Sequence, residues 1–256
     1  MNVLELFKLE GKVAIITGGG QGLGKQIATA LAEAGCNIVL CSRKIETCAD
    51  TAYRLMNYDV KAKAYKCDIT KEEEIQSLID NVIKEFGKID ILVNNSGTNW
   101  AAPVEEMPLV GWEKVIKVNL TGTFLTAKII GKKMIEQGFG KIINISSCAG
   151  LRVDPPEILD AVGYSTSKAA VVHLTKDLAM KWGKHGINVN ALAPGYFPTK
   201  MTMAFLEEKG EMVMERSPLK RIGDDNSLKG AAIFLASDAS DFVTGQVLAV
   251  DGGFSL

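Results

Sequence analysis

The sequence predicts an α/β fold, a single-domain doubly wound parallel sheet of about seven strands with helices on both faces. Three observations carry that prediction. Short β-branched runs alternate with longer stretches whose apolar residues recur at helical spacing, which is the mark of parallel strands joined by crossover helices. A glycine-rich turn stands between the first strand and the first helix. The 256 residues, 47% hydrophobic and 23% charged, suit one large core, and no repeat, linker or low-complexity tract divides them, so residues 1–256 are read as one domain.

The elements follow in order. Residues 12–17 (KVAIIT) form a buried strand, and residues 23–34 form a helix that Gly35 ends. Residues 37–41 (NIVLC) are the second strand, 47–56 a helix, 61–67 the third strand, and 72–86 a helix stopped by Gly87. The pattern then repeats with strand 90–93, a long helix over 111–136, and strand 141–146 (KIINIS). A second long helix spans 164–182, a sixth strand 187–192, a helix 227–236, and a last short strand 247–250. Pro155 and Pro156 forbid continued helix, so residues 151–163 (LRVDPPEILDAVG) are a loop.

Composition excludes several functions. With Lys plus Arg at 29 and Asp plus Glu at 30, the formal charge is -1, and no long-range field draws in nucleic acid or an anionic membrane. The start, MNVLELFKLEGK, carries acids within its apolar stretch and no small-residue cleavage site, and no apolar run has the length of a bilayer span; a cytoplasmic protein is expected. The five cysteines form no CxxC pair, and with two histidines they offer no metal ligand cluster. His173 and His185 are expected in structural roles.

Residues 17–24 read TGGGQGLG, with glycines that let the backbone turn sharply and approach a pyrophosphate at a helix N-terminus. Further along stand residues 94–97 (NNSG) after the fourth strand, Asn119 within KVIKVNLTGTF, Ser147 after the fifth strand, and residues 164–168 (YSTSK). Pro194 and Gly195 end the sixth strand, Thr199 follows, and residues 250–253 (VDGG) close the chain. Tyr164 and Lys168 are four apart and share one helix face, so an ammonium there can lower the phenol from its usual value near 10 toward working pH. Tyr164 would then serve as general acid and base, and Ser147 would hold the substrate oxygen beside it.

In TGxxxGxG, NNSG, YxxxK and their order over about residues 10–253, the chain resembles the short-chain dehydrogenase/reductase family. The resemblance implies a Rossmann-type fold, a catalytic set of Asn119, Ser147, Tyr164 and Lys168, contact of Lys168 with the nicotinamide ribose, and an Asn119 that anchors a proton-relaying water. It also implies cofactor contacts at Gly18, Gln21, Gly22, Leu23, Gly24, Ser42, Arg43, Asp68, Ile69, Asn94, Gly97, Pro194, Gly195, Phe197 and Thr199. Asp68 and Ile69 would meet the adenine, Asn94 the ribose side and Thr199 the carboxamide. At the end of the second strand stand Ser42 and Arg43, with no acid to bind a ribose 2′-hydroxyl, so NADP(H) is the preferred cofactor and NAD(H) the alternative. Gln21, where some NADP-dependent members carry Lys or Arg, argues the other way. Ser147 and Tyr164 are 17 positions apart, more than the family commonly has, and the excess falls in the 151–163 loop.

The expected function is a ketone and secondary-alcohol oxidoreductase. The C-terminal segments resemble gluconate 5-dehydrogenase and related sugar-acid enzymes, with 3-oxoacyl-carrier-protein reductase or a general carbonyl reductase as the alternative and a non-catalytic nucleotide-binding regulator as the remote one. Candidate substrate residues are Trp100, Cys148, Arg152, Tyr196 and Met201, with Arg152 offered as the cation for a substrate carboxylate. Residues 196–216, rich in methionine, are expected to form a lid over the substrate. The two long helices carry more apolar surface than one sheet face needs, and a homotetramer of D2 symmetry is expected.

Overall fold

The computed structural model describes residues 2–256; Met1 of the N-terminal segment lies outside the described residues. Seven strands make one fully parallel sheet in the order β3-β2-β1-β4-β5-β6-β7. In chain order they are β1 Val13–Thr17, β2 Asn37–Ser42, β3 Ala62–Lys66, β4 Ile91–Asn94, β5 Gly140–Ile145, β6 Ile187–Pro194 and β7 Val247–Val250. The helices are α1 Gly22–Glu33, α2 Ile45–Leu55, α3 Glu72–Phe86, α4 Leu109–Ile116, α5 Gly122–Gln137, α6 Val162–Trp182, α7 Met203–Arg216 and α8 Lys229–Ala236.

Every residue of β1 is buried, as its uninterrupted VAIIT run requires of a strand covered on both faces. Alternate residues feed two separate cores. Ala14 and Ile16 join Ile27, Leu31 and Leu235 beneath α1 and α8, whereas Val13 and Ile15 join Ile79, Val82 and Ile130 beneath α3 and α5. Strand order reverses between β1 and β4, so the carboxyl ends of these neighbours open a crevice there. All five cysteines are buried and free. His173 is exposed on α6, and His185 lies half-buried in the turn after it.

Two expected elements differ in form. The helix expected over 111–136 is α4 and α5 joined by a π-turn, Lys117–Thr121, with Asn119 buried inside it. The Asn119 side chain is fixed to a loop outside the helix, and the extra residue in the turn accommodates that tether. Residues 196–216 are for the most part the helix α7, which buries only Val213; Met201, Met203 and Met212 face outward. No helix among the described residues is long and apolar enough to cross a membrane, and no His, Cys, Asp and Glu cluster among them could hold a metal.

Candidate active site

The glycine turn after β1 is shaped by two needs. Gly18 and Gly22 adopt φ of +66° and +54°, a region L side chains avoid. A Cβ on Gly24 would lie 2.4 Å from Asn95 Nδ2 and 2.6 Å from the Gly18 carbonyl oxygen. The NNSG loop clamps this turn: the Asn95 and Ser96 amides each donate to Thr17 Oγ1 at 3.0 Å, and Asn95 Nδ2 donates to the carbonyls of Thr17 and Gly18. Gln21 precedes α1 without capping it, so the first amides of the helix, Leu23 among them, have no capping side chain and are left for an anion. Thr199 stands over the turn, its Cγ2 3.4 Å from a Cβ placed on Gly22. These residues fit a dinucleotide pyrophosphate, and an added methyl at 18 or 24 would press on the Asn95 clamp that shapes the turn.

Around that cradle the expected contacts fall out unequally. Arg43 is exposed at the end of β2. Ser42 Oγ donates to the Lys44 carbonyl at 2.5 Å. Asp68 accepts from the amide and hydroxyl of Thr70; burial would raise its carboxyl, but these bonds, with Arg43 nearby, hold it below the usual value. Ile69 is buried where a Cβ on Gly122 would lie 2.6 Å from its Cδ1. Asn94 ends β4. Its carboxamide is turned into the core, donating to Asn144 Oδ1 at 2.9 Å and accepting from Thr126 Oγ1 at 2.6 Å, so only its peptide is left for a ribose contact. Gly195 donates to the Val250 carbonyl and permits Asp251 to approach, while Phe197 is buried against Gly223.

Ser147, Tyr164 and Lys168 converge at the end of β5. Ser147 opens a short turn, accepting from the Ala149 amide at 3.2 Å. Gly150, in that turn, lets it pack directly on α6, since a Cβ there would lie 2.7 Å from the Lys168 backbone. Ser146 Oγ donates to the Lys168 carbonyl at 2.9 Å, a second tie between β5 and the helix. Lys168 is buried, its Nζ donating to the Ile145 carbonyl at 2.7 Å and lying 5.7 Å from the Tyr164 ring centroid. A Cβ on Gly97 would come within 3.7 Å of that Nζ.

The electrostatics correct the expectation for Tyr164. Burial raises its phenol above the ordinary value, and the Ser147 hydroxyl offsets only part of this. The ammonium expected to lower it is bonded to a backbone carbonyl, and burial pushes Lys168 itself down to about 8. The Asn119 carboxamide is tied to its neighbours through both of its polar atoms. Its Oδ1 accepts from the Thr98 amide at 2.8 Å, and its Nδ2 donates to the Thr98 carbonyl and to Ser167 Oγ at 3.0 Å each. It ties the NNSG loop to α6.

Of the substrate candidates, Trp100 packs on α4, with Lys114 Nζ 5.4 Å from its ring centroid. Met201 is exposed. Cys148 is buried and its thiol is pushed up to about 11 by that burial. Tyr196 stacks on Phe205 at 5.6 Å and meets Phe254 edge-on at 5.1 Å. Arg152 is not a free cation: it pairs with Asp154 at 3.2 Å and donates to the Phe254 carbonyl, so a substrate carboxylate would compete with a resident one. Sequence reasoning missed Asp154 and Phe254, which hold Arg152, and Arg216, which reaches Asp154 from across the fold, and missed Asn95 as the clamp; only the NNSG motif signalled any of these.

A parallel sheet with a phosphate cradle at its switch point, and a serine, tyrosine and lysine gathered beside it, defines a nicotinamide-dinucleotide oxidoreductase. Residues 18–255 match the family described as enoyl-(acyl carrier protein) reductase. The chain is 40% identical over 255 residues to 2-dehydro-3-deoxy-D-gluconate 5-dehydrogenase of Pseudoalteromonas atlantica, covering 98% of this chain and 99% of that one. It is 38% identical over 254 residues to 5-keto-D-gluconate 5-reductase of Escherichia coli, covering 97% of each. A crystal structure of a gluconate 5-dehydrogenase from Burkholderia cenocepacia, in complex with NADP and tartrate, superposes with a TM-score of 0.94 at 39% identity over 99% of both chains. The protein belongs to the short-chain dehydrogenase/reductase family, and it is an NAD(P)-dependent enzyme acting on CH–OH donors.

Proposed function

We propose that the protein is an NADP(H)-dependent oxidoreductase interconverting the ketone and secondary alcohol of a sugar acid. The observation that carries the reaction is the convergence of Ser147, Tyr164 and Lys168 against the glycine turn. Ser147 holds the substrate oxygen by a hydrogen bond, and Tyr164 Oη gives that oxygen a proton in reduction and takes it back in oxidation. Bound NADP supplies the hydride acceptor or donor at its nicotinamide. Lys168, held by the Ile145 carbonyl, would meet the nicotinamide ribose, and Asn119 positions the loop beside it through Thr98. Gly18, Gly22 and Gly24 hold the pyrophosphate, and Thr199 covers it.

Arg43, exposed where an NAD-binding acid would stand, supports NADP, as does the NADP complex of the Burkholderia cenocepacia relative. The sugar-acid substrate is supported by the relatives named above. Segment 196–216 acts as the substrate lid. We propose a cytoplasmic homotetramer of D2 symmetry, in keeping with five free thiols. Exposed apolar side chains on α5 (Phe124), on α6 (Met180) and on edge strand β7 (Leu248) support association through more than one element. Following NADPH consumption with 5-keto-D-gluconate, L-sorbose and an acetoacetyl thioester tests the reading. The keto acid should give the highest kcat/KM, and a preference for the thioester would overturn the substrate assignment.

A further inference from the structure

Three segments distant in sequence meet beyond Tyr196. Arg152 and Asp154 come from the 151–163 loop, Arg216 from the last turn of α7, and Phe254 from the C-terminal end. The Asp154 side chain is wholly enclosed at 0% exposure. Neither of its oxygens receives a hydrogen bond from any described residue. The sequence itself creates this condition: an aspartate commonly accepts from the amides just after it, but Pro155 and Pro156 have none to give.

The two arginines supply charge without donors in line. Arg152 Nη2 is 3.2 Å and Arg216 Nη2 4.0 Å from Asp154 Oδ1, and both guanidinium groups lie over the Phe254 ring, 4.8 Å and 5.7 Å from its centroid. Burial holds the carboxyl above the usual range although both cations pull it down. A buried acceptor pair without donors is costly, and a native chain that keeps one calls for a functional role or a partner that completes it.

The cluster adjoins the reacting end of the site. The Arg152 amide donates to the Cys148 carbonyl at 3.1 Å, one residue past Ser147. Tyr196 lies between, close enough to Asp154, Cys148 and Tyr164 that each adds to the burial that raises its phenol. Cys148, Ile158, Val213 and Phe254 form the apolar wall around it. Tyr196 and Arg216, which both neighbour Asp154, belong to the 196–216 segment.

We propose that Asp154 is a specificity-determining residue whose carboxylate, held in place by Arg152 and Arg216, accepts hydrogen bonds from the hydroxyls of a polyhydroxylated ketone or alcohol. The inference rests on the reading that Tyr164 transfers the proton to a substrate carbonyl in this site. Charge selects the donor type. An anionic group would meet the carboxylate, a cationic group would meet two guanidinium groups, and a neutral hydroxyl meets neither penalty. An acyl chain would leave both oxygens orphaned, which is how a buried acceptor rejects a substrate lacking the matching group.

The test is steady-state reduction by NADPH of 5-keto-D-gluconate, of L-sorbose, which carries the same keto skeleton with a hydroxymethyl in place of the carboxylate, and of cyclohexanone. In Asp154→Ala the ratio of kcat/KM for each polyhydroxylated ketone to that for cyclohexanone should fall at least tenfold. Asp154→Asn, which keeps one acceptor and the shape, should fall between the two and serves alone if the alanine variant does not fold. An unchanged ratio, or an equal loss on all three ketones, overturns the proposal while leaving the sugar-acid reading intact. A wild type that reduces L-sorbose but not 5-keto-D-gluconate overturns the sugar-acid reading alone. A wild type that reduces neither polyhydroxylated ketone overturns both.

Discussion

Replacing Lys168 with methionine should make the protein more stable and inactive. The buried amine is depressed from 10.5 to about 8 by desolvation, so folding at neutral pH takes a charged group out of water. At 1.36 kcal/mol per pH unit, that interval corresponds to about 3 kcal/mol. The variant forfeits the hydrogen bond from Nζ to the Ile145 carbonyl, which offsets about 1.5 to 2 kcal/mol. Methionine fills the channel with a flexible apolar chain. The net gain is about 1 to 2 kcal/mol, or ~2–6 °C in Tm for a chain of this length. The sign with pH is fixed by proton counting. Between pH 8 and 10.5 the unfolded chain binds the lysine proton and the native chain does not, so wild-type stability rises with pH over that window. The advantage of Lys168→Met should therefore be full at pH 7 and shrink as pH climbs past 8. Differential scanning fluorimetry from pH 7 to 9.5 measures it; a variant that melts lower at pH 7, or a difference independent of pH, would refute the reasoning.

Arg43→Asp should move the ratio of kcat/KM values for NADPH and NADH toward NADH by tenfold or more, because it replaces a partner of the 2′-phosphate with a repelling acceptor of the hydroxyl. An unmoved ratio places the 2′-phosphate elsewhere. Hydrogen exchange should show the amides of α7 labile in the apo protein and protected once NADP and substrate are added, since this helix buries only Val213. Equal exchange in both states would remove the lid. Light scattering at micromolar concentration should give a tetramer mass, and a monomer would leave the apolar faces at Phe124 and Leu248 without a partner.

The strands were legible almost to the residue, the five central ones because each is a run buried on both faces, a signal that belongs to the local sequence. β7 falls at residues 247–250 as read, and the other strands shift by one or two residues at their ends. The glycine turn was equally legible, since its backbone conformation restricts residue type. What stayed hidden depends on partners far along the chain. The π-turn at Asn119 coincides with the tie from its carboxamide to Thr98, 21 positions away, and no helical periodicity reports that. That Asn94 can offer a ligand only its peptide was hidden too, because Asn144, 50 positions on, claims its side chain. Arg152 read as a free cation, whereas Phe254, 102 positions later, and Asp154 hold it.

Tyr164→Phe tests the central claim most directly, because it removes one hydroxyl and leaves the ring and its packing in place. With 5-keto-D-gluconate and NADPH, kcat should fall by at least about 100-fold, the scale of a lost general acid, while NADPH affinity by fluorescence titration stays within about twofold. A variant that keeps more than about a tenth of the wild-type kcat would contradict the assignment of Tyr164 as the group that moves the proton.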